Sequence, residues 1–120
     1  MRVRAARGAI VVAEDTRPAI NDATERLLST VLTRNQIVTE DLISILFTAT
    51  DDLAAAFPAE AARAMGLAEV PLLCAREIPV RDSMVSVVRI LVHFHSERGL
   101  DQVSHVYLDG AESLRDDLGT

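Results

Sequence analysis

The chain has 120 residues, a length that suits one domain spanning 1–120, and 49% of them are hydrophobic with only 3% aromatic, so small aliphatic side chains must fill the core. The net charge of −6 argues against a nucleic-acid partner, and the absence of lysine among the twelve basic residues excludes both a Schiff-base lysine and a phosphate loop ending in Gly-Lys-Ser/Thr. A single cysteine forms no internal disulfide, and no apolar run nears the ~18 residues a membrane helix needs, so a soluble, cytoplasmic protein with no membrane partner is expected.

In chain order, Val3 to Val12 predicts a first strand, with Val3, Ala5, Arg7, Ala9 and Val11 on one face and Gly8 permitting a close backbone approach. The run from Glu14 to Asn35 predicts a helix capped by Asp15 or Thr16, with Pro18 in its first turn. Its apolar stripe is Ile20, Ala23, Leu27 and Val31, joined by Leu28 and Leu32. Leu42 to Thr50 predicts a second strand. A short second helix follows, opened by Pro58 and closed by Gly66.

Val70 to Glu77 predicts the third strand and Val87 to Ser96 the fourth. In the fourth, Val88, Ile90, Val92 and Phe94 share one face, and Arg89, Leu91, His93 and His95 the other. A fifth strand is expected to align Val103, His105, Tyr107 and Asp109. The fold class is therefore α+β, a mixed sheet with two helices on one face. The other face still carries Val3, Ala9, Val11 and Leu91 and needs a cover, for which a second copy of the sheet is the simplest candidate.

Arg7, Arg89 and Tyr107 each sit mid-strand between apolar neighbours. Singly, each reads as a surface residue or a satisfied ion pair; together, three strands offering such groups suggest an anion pocket. Strict alternation puts Glu77 on the face opposite Cys74, and the two share a pocket only if the strand bends or ends before Pro79. Otherwise Glu77 pairs with Arg76 or Arg81. No motif ties Cys74 to a base, so it reads as a small core residue. His93 and His95 share a face without a completing carboxylate motif, and no metal or other cofactor is expected. Phe57 reads as core or pocket wall, and Arg63 as a solvated helix residue.

Five segments together carry a resemblance. "RGAIVVAEDT", "ATDDLAAAFPAEAAR", "VPLLCAREIPV", "VVRILVHF" and "HVYLDGAESLRDDL" run in one order and cover nearly the whole chain. This ordered set resembles the monofunctional AroH-class chorismate mutases. The resemblance implies a homotrimer, a pseudo-α/β-barrel with active sites between subunits, and isomerisation of chorismate to prephenate on the route to Phe and Tyr. By the same resemblance, Arg7 holds a substrate carboxylate and Tyr107 donates to one. Arg89 touches the ether oxygen and a carboxylate, and Glu77 binds the ring hydroxyl with Cys74 beside it. Phe57, Ala59, Leu72 and Leu73 line the pocket, Leu114 closes it, and Arg63 and Arg115 guide the dianion at the mouth. Two positions depart from the pattern: Glu60 stands where relatives can carry lysine, and Leu73 where threonine is common.

The implied reaction is a [3,3] rearrangement that needs no proton transfer, metal or covalent intermediate. It needs a flexible dianion folded into a compact conformer and a cation aimed at the ether oxygen. Two alternatives remain at this stage: a RidA-like trimeric imine deaminase, and a non-catalytic module for small anions.

Overall fold

The computed structural model describes residues 1–114. Five strands and two helices follow in the order β1 (Arg2–Val11), α1 (Arg17–Arg34), β2 (Leu42–Ala49), α2 (Ala59–Ala64), β3 (Leu72–Arg76), β4 (Val87–Ser96) and β5 (Val106–Leu108). The strands form one mixed sheet in the order β3-β2-β4-β1-β5. β4 is antiparallel to both β1 and β2, whereas β3 and β5 run parallel to their neighbours at the two edges.

Helix α1 starts where Thr16 accepts a hydrogen bond from the Ala19 amide at 3.3 Å, with Pro18 in the first turn where its missing N–H costs nothing. It buries Ile20, Ala23, Leu27, Leu28 and Val31, the stripe expected from the spacing. These residues pack with Ala59 and Ala62 of α2 onto Ala6, Ile10, Phe47, Ile90, Val92 and Phe94 of the sheet. Both helices therefore cover the same face. Gly8 makes the closest approach possible: a Cβ there would lie 3.0 Å from Leu27 and 3.2 Å from Val31.

On the opposite face the sheet is open along much of its length, with Val3 56% and Leu73 61% exposed. One end is not open. Ala9 and Val87 are buried beneath Ala111 and Leu114, with Val11, Met84 and Tyr107 packed alongside. The sequence left Ala9 in need of a partner from another copy, but the chain's own segment after β5 supplies the cover.

The fifth strand is shorter than expected. Only Val106–Leu108 pair with β1, and Asp109 and Gly110 turn with positive φ (53° and 102°). Asp109 leaves the sheet to meet Arg26 of α1, with Nη1 to Oδ2 at 2.7 Å and Nη2 to Oδ1 at 3.1 Å. At the other end of β5, buried Asn35 grips Ser104 twice, donating to its carbonyl at 2.9 Å and accepting from its amide at 2.8 Å. This edge strand is thus held to α1 at both ends. No helix among the described residues is long and apolar enough to cross a membrane.

Candidate active site

Residues paired directly across a sheet project to the same face. The register therefore sets Ala75 of β3, Thr48 of β2, Arg89 of β4, Ala9 of β1 and Tyr107 of β5 in one row on the face away from the helices. Arg7 lies two residues from Ala9 on the same strand, on the same face, opposite Leu91. The three residues singled out for standing mid-strand are thus brought to one face of the sheet.

Glu77 joins them. β3 ends at Arg76, but the Glu77 amide still bonds to the Ala49 carbonyl at 3.0 Å, and its side chain continues the alternation onto the same face as Ala75. There Glu77 Oε1 lies 3.2 Å from Arg89 Nε, while Thr48 Oγ1 donates to Glu77 Oε2. The Arg89–Glu77 approach is an ion pair by distance without hydrogen-bond alignment, since the buried Arg89 Nε has no hydrogen-bond partner among the described residues. The buried Tyr107 Oη is also unpartnered among them. A polar atom taken out of water without a partner is costly, so two on one row mark a place built to meet something else.

Thr48, Glu77, Ile78, Met84 and Arg89 line a cavity of ≈ 670 Å³. Its far wall is the loop from Glu77 to Ser86, whose Ile78 is 81% exposed. The loop is tied at its end, where Ser86 gives its amide and hydroxyl to Asp52 at 3.2 and 2.7 Å. Burial pushes the Asp52 carboxyl up, but the bonds from Ser86 and Thr50 outweigh it and hold the group below its ordinary value.

Cys74 lies elsewhere. It is paired with Phe47 and packs with Leu72 against the helix-side core, so alternation separates it from Glu77. Cys74 and Phe57 line a second cavity of ≈ 600 Å³, on the helix side of the β3 edge. Thr50, Asp51 and Arg76 border both cavities, and Arg76 bonds Asp51 at 2.8 Å across the ridge between them. Phe57 is 69% exposed beside this second cavity, next to buried Ala59. Arg63 is exposed on α2, and Leu73 projects from the opposite face of β3. Leu114 is buried against Ala9, and Arg115 lies outside the described residues.

Glu60, the residue in place of lysine, turns toward α1. Arg17 Nε lies 3.1 Å from its Oε1, and Asn21 Nδ2 donates to the same oxygen at 3.2 Å. Its charge is therefore matched locally. Sequence reasoning did not single out Thr48. Its place on the site face follows only from the β2–β4 register, which sets it opposite Arg89.

The family model of Chorismate mutase type I matches residues 3–118. The chain is 50% identical over 117 residues to Chorismate mutase AroH of Thermus thermophilus, covering 97% of this chain and 96% of the relative. It is 36% identical over 119 residues to Chorismate mutase AroH of Bacillus subtilis (strain 168), covering 98% and 94%. Among solved structures, a chorismate mutase from Clostridium thermocellum superposes with a TM-score of 0.89 at 40% identity, covering 91% of this chain and 97% of that one. With a family match and relatives that both span nearly the whole chain, the protein belongs to the chorismate mutase type I family.

Proposed function

We propose that the protein is a chorismate mutase, converting chorismate to prephenate by an intramolecular [3,3] rearrangement in aromatic amino-acid biosynthesis. The observation that carries the proposal is the row on the open sheet face, where Arg89 Nε and Tyr107 Oη are buried without hydrogen-bond partners among the described residues and Glu77 stands against Arg89.

The substrate is a dianion. Arg7 and Tyr107 would clamp its carboxylates and so hold the enolpyruvyl arm over the ring, removing freedom before bonds change. As the C–O bond lengthens, negative charge grows on the ether oxygen. Arg89, held by a strand and flanked by Glu77, would meet that charge with a fixed cation that stabilises the transition state more than the ground state. Glu77 would accept the ring hydroxyl and keep Arg89 oriented. The rearrangement needs no cofactor and leaves every proton in place.

The resemblance implies one pocket shared by Cys74, Phe57, Glu77 and Arg89, whereas within one chain the first two and the last two border separate cavities on opposite sides of β3. That separation supports a site completed between copies. The helix-side edge of one protomer would close the open sheet face of the next, and a homotrimer would hold three such sites. The exposed Val3, Leu73 and Ile78 supply apolar surface for that contact. Arg63 would then stand near the mouth, and Ala59, Leu72, Leu73 and Leu114 would shape the walls. A cytoplasmic setting fits a chain with a single cysteine and hence no internal disulfide.

Mixing the purified protein with chorismate and following the loss of its ultraviolet absorbance tests the proposal. Prephenate as the product is the expected result. Binding of chorismate without turnover, or no response at all, would overturn it.

A further inference from the structure

Among the described residues, Thr48 donates its hydroxyl to the Glu77 carboxylate that faces the proposed chemistry, and from this we infer that Thr48 is a positioning residue for the Glu77–Arg89 pair. The inference rests on the site proposed above and adds a residue to it.

Three observations converge. Thr48 Oγ1 donates to Glu77 Oε2, while Glu77 Oε1 faces Arg89 Nε at 3.2 Å. Thr48 and Arg89 are direct partners in the β2–β4 register, so their side chains leave the sheet side by side. Both line the cavity that holds Glu77.

The geometry divides the labour of one carboxylate. Glu77 lies just beyond the end of β3, where its backbone is held by one hydrogen bond to Ala49 and the following loop is largely exposed. A glutamate has three side-chain torsions, and at a strand end little else restrains them. Thr48 is stiff at its Cβ and sits within a strand, so its hydroxyl is a fixed point. By occupying Oε2 it turns Oε1 toward the guanidinium. A carboxylate offers about four lone-pair positions, so Thr48 and Arg89 together still leave room for a substrate hydroxyl. Without Thr48 the carboxylate would rotate, and Arg89 would lose the neighbour that fixes its aim. Thr48 touches no reacting atom; it acts through Glu77.

The test compares Thr48→Val, Thr48→Ala and Thr48→Ser with the wild-type full-length protein, measuring kcat, KM and Tm with chorismate as substrate. Thr48→Val keeps the branched shape and Thr48→Ala relieves any misfit, yet both lack the donor. Thr48→Ser keeps the donor and loses only a methyl. Loss of a hydrogen bond to a charged acceptor predicts that both donor-less variants lose about tenfold or more in kcat. KM should move less than kcat, and Thr48→Ser should stay within about threefold of wild type. Donor-less variants with wild-type kcat, or Thr48→Ser as impaired as Thr48→Val, would overturn the inference. Glu77→Gln separates the two levels. If it turns over normally, the site assignment of Glu77 fails; if it is impaired while Thr48→Val is not, only the role of Thr48 fails.

Discussion

At Arg89 a half-buried guanidinium shares one sheet face with Glu77 and Tyr107, and no hydrogen bond ties up its Nε among the described residues. Arginine suits this position because its planar fork reaches two oxygens at once, whereas an ammonium is a single point of charge. Arg89→Lys is therefore expected to lower kcat by about two to three decades, roughly 3–4 kcal/mol of transition-state stabilisation, with the fold intact by circular dichroism. Near-normal kcat would remove Arg89 from the centre of the mechanism. Arg89, Arg7 and Tyr107 were visible in the sequence as polar residues at mid-strand positions. Thr48 was not, because a threonine in a strand is ordinary and its meaning depends on a partner 41 positions away in the chain. The relation of Cys74 to Glu77 was half legible. Alternation separated them correctly within one chain, and nothing local could show which cavity each would border.

Among the elements, β5 depends most on tertiary contacts. Three residues of strand at a sheet edge are too few to stand alone, and Arg26 of α1 and Asn35 just past its C-terminal end fasten both ends. The hydrogen bond and charge of Arg26 hold the Asp109 carboxyl below its ordinary value. A carboxylate with a depressed folded-state pKa binds fewer protons folded than unfolded, so the pair stabilises above the ordinary carboxylate pKa and loses that contribution as pH falls through the folded value. Both partners are well exposed, so the effect is modest and screened by salt. Asp109→Asn is accordingly expected to lose some stability near neutral pH and to show a shallower decline between about pH 5 and 3 than wild type, read from urea midpoints. Identical pH profiles would mean that the pair adds nothing. The same element shows why sequence reading overran: "HVYLDG" alternates like a strand through Asp109, but the positive φ at Asp109 and its pull toward Arg26 end the strand at Leu108. By contrast α1 and β4 were legible almost to the residue, because their periodicities are long and one face of each is buried.

For the whole molecule, the net charge of −6 gives no hint of an anionic guest, because the field that matters is local. Glu60 is matched by Arg17 and Asn21, Asp109 by Arg26, and Asp51 by Arg76, while Arg89 faces a cavity. The helices cover one side of the sheet and the segment from Ala111 to Leu114 covers one end of the other, leaving the middle of that face for something else. The central claim is that a neighbouring copy fills this place and brings Phe57 and Cys74 to the Arg89 of its partner. Mixing two inactive variants after joint unfolding and refolding tests it most directly, with Arg89→Gln disabling one half and Phe57→Glu setting a negative charge against the dianion in the other. In a ring of head-to-tail contacts each site draws its halves from different copies, so a 1:1 mixture should recover about a quarter of wild-type kcat. A mixture no more active than its parents would contradict the account, for it would place both halves of the site in one chain.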